Sequence, residues 1–169
     1  MKINIGGETK KEGWKNFNAQ KKPDVDIIGN IKDLSQFENE SIDEIYASHV
    51  LEHVDIRSTP STIKGIYRVL KKGGKFYVSV PDMDVLCHFF LSPLASNEIK
   101  HHIMTIIFGG QIDNYDYHYF GWNYGFMNDY LKEAGFLKVD KVKSFGLFED
   151  TSDYKPYGFP ISLNVIAFK

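Results

Sequence analysis

Between Asp43 and Asp82 the spacing of apolar positions changes twice. Ile45, Tyr46 and Ala47 form a short continuous apolar run. Ile63, Ile66, Tyr67 and Leu70 then recur at helical spacing, and Phe76 to Val80 returns to a β-rich run closed by Pro81. Gly73-Gly74 is predicted to stop the helix, and Ser48, His49, Glu52 and His53 gather polar groups where the first run ends. Strand, helix and strand within 40 residues make a βαβ crossover, hence a parallel pair with a right-handed connection. Ligands of open parallel sheets bind beyond the carboxyl ends of the strands. Ser48, His49 and His53 at one strand end, and Pro81 and Asp82 at the other, therefore fall on the predicted functional edge.

Upstream, Lys2 to Ile5, Trp14 to Asn18 and Asp24 to Ile28 read as three short strands. The gaps between them hold one turn at most, so the helices that would normally join parallel strands are missing there. Asp33 to Phe37 reads as a helical turn. Downstream, Met83 to Leu91 and Asn97 to Phe108 are predicted helices split by Ser92-Pro93, and Asn123 to Ala134 is a helix stopped by Gly135. The segment from Gly109 to Asn123 lacks periodicity and is rich in aromatics, as a loop over the functional edge would be. Val139 to Phe145 and Ile161 to Phe168 read as a hairpin-like antiparallel pair joined by a loop over Thr151 to Pro160. The whole is one domain, 1–169, an α/β fold with a mostly parallel sheet and an antiparallel strand at one edge.

Composition narrows the partners. Hydrophobic residues make up 43% of the chain, enough for a folded core. Twenty basic against 22 acidic residues leave a net charge of −2, which gives no electrostatic basis for binding nucleic acid or an anionic membrane. No apolar run approaches the roughly 20 residues of a membrane span, and the first residues lack a signal-peptide apolar region. The single cysteine, Cys87, excludes an internal disulfide and fits a cytoplasmic setting.

Three segments carry a resemblance: DEIYASHVLEHV at 43–54, RVLKKGGKFYVSVPD at 68–82, and LKEAGF followed by Val139 at 131–139. With these the chain resembles the class I S-adenosylmethionine (SAM)-dependent methyltransferases, specifically the small methyltransferase type 11 group. The resemblance implies a Rossmann-like three-layer sandwich with trimmed early helices, SAM as cofactor with S-adenosylhomocysteine (SAH) as its product, and a small-molecule acceptor. A short subgroup from surface-polysaccharide biosynthesis is the most similar in pattern. Carried onto this sequence, the cofactor site falls on Gly6, Gly7, Asn18, Asn30, Ile31, Ser48 and His49, and the acceptor side on His53 and His118. The sequence departs from the family at three points. Only two adjacent glycines follow the first strand. Asn18 stands where a ribose-binding acid is usual, and Asn30 where an Asp near the adenine amine is usual. The missing helices also leave one sheet face thinly covered, which predicts a homodimer or docking on another protein.

Residue chemistry leaves several readings open. Gly6-Gly7 lets a ligand approach the backbone, as a plain turn also would. His49-Val50-Leu51-Glu52-His53 matches the H-x-x-E-H pattern of inverted zinc peptidases. Its residues equally suit a SAM-binding corner or a polar helix start, and no downstream helix offers a clear third zinc ligand, so no metal is expected. His118 lies in the cluster Asp113, Tyr115, Asp116, Tyr117, His118, Tyr119 and has the right unperturbed pKa to take a proton from an acceptor hydroxyl. Asp82 is placed to cap the following helix. The tail from Gly146 to Asn164 is placed to fold over the pocket. The expected activity is SAM-dependent methyl transfer to a small polar acceptor in sugar or surface-polysaccharide metabolism. The alternative is a methyltransferase-like module that binds or assembles without catalysing.

Overall fold

The computed structural model describes all residues, 1–169. Its centre is a seven-stranded sheet in the order β3-β2-β1-β4-β5-β7-β6. The strands are β1 (Lys2–Ile5), β2 (Trp14–Asn18), β3 (Ile27–Ile28), β4 (Ile42–Ser48), β5 (Leu70–Pro81), β6 (Lys138–Val142) and β7 (Ser162–Phe168). The first five are parallel, and β7 runs antiparallel to both β5 and β6. The antiparallel strand thus lies one place in from the sheet margin. The helices are α1 (Thr59–Val69), α2 (Met83–Leu91), α3 (Asn97–Phe108) and α4 (Tyr124–Ala134).

Strand register sorts the side chains into two faces. One rung runs Ile3, Ile45, Phe76, Ala167 and Val139 across five strands. These residues join Ile63 and Ile66 of α1 and Met127 and Leu131 of α4 in the main core. α4 is positioned by its ends. The Asn123 side chain accepts from the Phe126 N–H, and Gly135 terminates the helix at φ 114°, where an added Cβ would lie 2.9 Å from the Tyr67 ring.

The opposite face carries Trp14, Tyr46 and Tyr77, and no helix covers them. Phe145, Leu147 and Phe148, from the segment after β6, pack there instead, in edge-on and tilted ring contacts such as Tyr46–Phe148 at 4.7 Å. The third layer over these residues is therefore built of loop. The segment Phe145 to Phe148 covers the part of this face around Trp14, Tyr46 and Tyr77. Asp150 latches that segment: it accepts from the Tyr46 hydroxyl at 2.8 Å and the Ser48 hydroxyl at 3.2 Å.

Burial pushes the Tyr46 phenol well above its ordinary range, and the Asp150 charge adds to this. A phenol whose folded pKa is raised contributes stability that is full below its unfolded value, near pH 10, and is lost as pH rises above it. We expect the melting temperature to fall between about pH 9.5 and 11 and to fall less in Tyr46→Phe. At pH 7 that variant should lose about 1.5 kcal/mol for the bond to Asp150. Thermal melts across this pH range check both.

Several predicted boundaries move. The strand expected over Asp24 to Ile28 shortens to Ile27–Ile28, because the Asp26 side chain takes the Asn16 N–H ahead of it. Gly73-Gly74 does not stop α1, which ends at Val69 because Leu70 is buried and already pairs with Ile42. The glycines lie instead in a bulge of β5, where a Cβ on Gly74 would meet the Lys71 and Asp43 carbonyls at 2.8 and 3.0 Å. Asp33 to Phe37 forms turns, with no helix. The sixth strand stops at Val142, which frees Phe145 to cap the bare face. No helix is long and apolar enough to cross a membrane.

Candidate functional site

The carboxyl ends of β1, β2 and β4 open on a cavity of about 480 Å³. Gly6, Asn18, Asn30, Ile31, Ser48, His49 and His53 all line it. The loop residues 112–117 and Tyr119 form its opposite wall, as the aromatic segment predicted. Crossover topology brings these residues together, because parallel strands deliver their ends to one edge.

Gly6 has φ 77°, and a Cβ there would lie 2.5 Å from the Val50 side chain. Gly7 departs from the expectation. It does not line this cavity, and a Cβ on it would strike the Asn4 and Asn16 side chains at 2.1 and 2.7 Å. Gly7 faces a neighbouring cleft of about 810 Å³ shared with Asn4, Ser48 and Asp150. Its lack of a side chain serves packing. Asn18 bridges the loops after β1 and β2: its amide donates to the Gly6 carbonyl at 3.2 Å, and its oxygen accepts from the Gln20 N–H at 2.9 Å. A carboxylate at 18 would keep the second bond and lose the first. Asn30 accepts from the Lys32 N–H in a local turn.

His49 follows β4 directly with φ 53°, a left-handed conformation uncommon outside glycine and found at functional corners. It breaks the chain out of helix, and residues 51–53 then form a single 3₁₀ turn. His49 and His53 therefore do not share a helix face, and the inverted zinc-peptidase geometry is absent. His49 Nε2 lies 2.9 Å from Ser162 Oγ, whose hydroxyl donates to the Thr151 carbonyl. His49 Nε2 is thus the donor to Ser162.

Behind the cavity wall lies Glu52, 1% exposed. His49 Nδ1 is 3.2 Å from its Oε1, yet neither carboxylate oxygen receives a hydrogen bond. Burial alone would push this carboxyl up, but contact with His49 and the charges of His49, His53 and His118 more than offset it and hold it below its ordinary value. His118 does not line the cavity. It stacks edge-on against His53 at 4.7 Å between ring centroids, and burial holds it below the ordinary imidazole range against the opposing pull of Glu52. The loop is fixed at both ends: the His118 N–H donates to the Phe108 carbonyl and the Tyr119 N–H to the Glu52 carbonyl. Gly109, at φ 82°, permits the return, since a Cβ there would lie 1.9 Å from the Asp116 carbonyl oxygen.

Other candidates lie elsewhere. Asp82 is buried, accepts from the Asp84 N–H as the α2 cap and pairs with Lys141 at 3.1 Å. Cys87, His88 and His101 are exposed, and His102 bonds the Tyr157 hydroxyl. Sequence reasoning missed Asp150, and it read Glu52 only as part of the H-x-x-E-H pattern or of a polar helix start. Asp150 bonds Tyr46 and Ser48, 104 and 102 positions away, and no local pattern announces that.

The methyltransferase domain family model (Methyltransf_11) matches residues 2–78. Among curated proteins nothing matches in sequence. Solved structures match over 99% of this chain. A SAM-dependent methyltransferase from Thermotoga maritima aligns with TM-score 0.61 at 18% identity, over 81% of its own length. A Haloferax volcanii methyltransferase in complex with its Trm112 activator aligns with TM-score 0.55 at 16% identity, also over 81% of its length. A Burkholderia thailandensis 1,6-didemethyltoxoflavin N1-methyltransferase, solved with that acceptor and SAH, aligns with TM-score 0.59 at 12% identity over 70% of its length. The family match thus covers residues 2–78, and over its whole length the chain shares the fold of these SAM-dependent methyltransferase structures.

Proposed function

We propose that the chain transfers the methyl group of SAM to a hydroxyl of a small polar acceptor. The observation that carries this is the convergence of Gly6, Asn18, Asn30, Ile31, Ser48 and His49 on one cavity with His53. A volume of about 480 Å³ suits a cofactor of this size. The positive φ of Gly6 lets a ligand reach the backbone, and the polar edge of Asn18 and Asn30 offers amide groups to hydroxyls and ring nitrogens.

When bound, SAM supplies an electrophilic methyl on a sulfonium. The chain's task is to align the acceptor and take its proton. His53 Nδ1 is hydrogen-bonded to the Tyr117 carbonyl at 3.0 Å, so in the neutral ring Nδ1 carries the proton and Nε2 is free to accept one. His53 is thus the acceptor-side base, with His118 packed behind it. Tyr117 and Tyr119 stack at 6.4 Å beside Asp113 and Asp116 on the cavity wall. Aromatic faces flanked by acceptor oxygens suit a polyol or sugar-linked substrate, in keeping with a role in sugar or surface-polysaccharide metabolism. No observation favours the non-catalytic module over this reading.

Calorimetry with SAH tests it. We expect one site per chain at micromolar affinity. Absence of heat up to millimolar SAH would refute the reading.

A further inference from the structure

The sequence held the pattern H-x-x-E-H without a third ligand, and the fold supplies one from an unexpected place. We propose that Glu52, His53 and His118 bind one divalent transition-metal ion of the zinc class. One oxygen of Glu52 and one ring nitrogen from each histidine lie within 4.8 Å of one another. Ligands about 2.1 Å from a tetrahedral ion lie about 3.4 Å apart, so closure needs pairs of ligand atoms to approach by up to about 1.4 Å.

The second observation is the state of Glu52. It is 1% exposed and both oxygens lack a hydrogen bond. Buried carboxylates are otherwise hydrogen-bonded, paired or bound to a metal. His49 is in contact at 3.2 Å without the geometry of a hydrogen bond, so it positions the carboxylate and does not saturate it.

The third is the orientation of both rings. His53 donates its Nδ1–H outward to the Tyr117 carbonyl, which leaves the Nε2 lone pair free. His118 Nδ1 is buried with no partner. Imidazole ligands are typically fixed in this way, with the outer N–H on a backbone carbonyl and the inner nitrogen bare. Two imidazoles with one carboxylate suit zinc, iron or cobalt, whereas magnesium and calcium prefer all-oxygen sites.

The arrangement differs from the peptidase motif, in which both histidines share a helix. Here His118 arrives on the 109–123 loop, anchored by the Tyr119 N–H on the Glu52 carbonyl at 2.8 Å. Of the three ligands only His53 also lines the cavity, so the ion sits in the cavity wall on the acceptor side. At His53 Nε2, ligand and base exclude each other, and the metal-loaded chain uses it as a ligand.

Metal uptake is measured without SAM, so its failure is separable from failure of the methyl-transfer reading. Untagged chain, stripped with chelator and reloaded with Zn²⁺, should retain one zinc per chain through gel filtration. Co²⁺ should give visible d–d absorption saturating at one equivalent. Glu52→Gln and His118→Ala should weaken uptake at least a hundredfold, and His101→Ala, an exposed histidine, should leave it unchanged. Folded wild-type chain that retains no zinc, or uptake indifferent to Glu52→Gln, overturns the proposal whether or not His118→Ala folds.

Discussion

Replacing Trp122 by alanine is expected to lower the unfolding free energy by about 3–5 kcal/mol. For a domain of this size that is a fall in melting temperature on the order of 10 °C. The indole is fully buried, edge-on to Phe120 at 4.4 Å and to Tyr130 at 5.5 Å. It also ends the loop that carries His118. Its carbonyl accepts from the Met83 N–H at 2.8 Å, and its backbone bridges Asp82 at the end of β5. Losing the ring opens a cavity at the junction where the 109–123 loop meets the end of β5. Trp122→Phe should cost far less, because the indole N–H has no partner and its removal leaves nothing unpaired. Urea unfolding of the three proteins compares them. Equal losses in both variants would mean that ring volume is not what holds this junction.

Gly6→Val is expected to weaken SAH binding by about a hundredfold, close to 3 kcal/mol. Valine resists the φ of 77° that this corner requires, and its Cβ would start 2.5 Å from the Val50 side chain. The neighbouring glycine predicts the opposite balance. Gly7→Ala drives a methyl into Asn4 and Asn16 beneath the loop, so its main effect should be a stability loss of about 1–3 kcal/mol. Calorimetry with SAH paired with thermal melts separates the two. If Gly7→Ala lost binding while keeping its melting temperature, the division of roles between the glycines would be reversed.

Much of the fold was legible because its signals are local. The runs at 45–47 and 76–80 and the helical spacing between them gave the crossover, and strand ends then pointed to Ser48, His49 and His53. The Asn123 cap and the Gly135 stop marked α4 on the same basis. What the sequence hid depends on distant partners. Leu70 looks like the last helical residue until it pairs with Ile42, which moves the glycine pair into a bulge. His49 to His53 reads as a helix face until a left-handed His49 breaks it. Gly6 and Gly7 are indistinguishable as letters, and only the asparagines beneath the second separate them. Glu52 and His118 are 66 positions apart, and only the return of the 109–123 loop places them side by side.

The placement of β7 bears on how the chain is made. It is the last strand in sequence, yet it pairs with both β5 and β6, and β6 has no other neighbour. During synthesis β5 therefore emerges with one edge open, and that edge closes only once β7 has left the ribosome. The aromatic tail that shields the bare sheet face also lies after β6. A nascent chain halted near residue 160 would expose an unpaired strand edge, the kind of template on which incomplete chains associate.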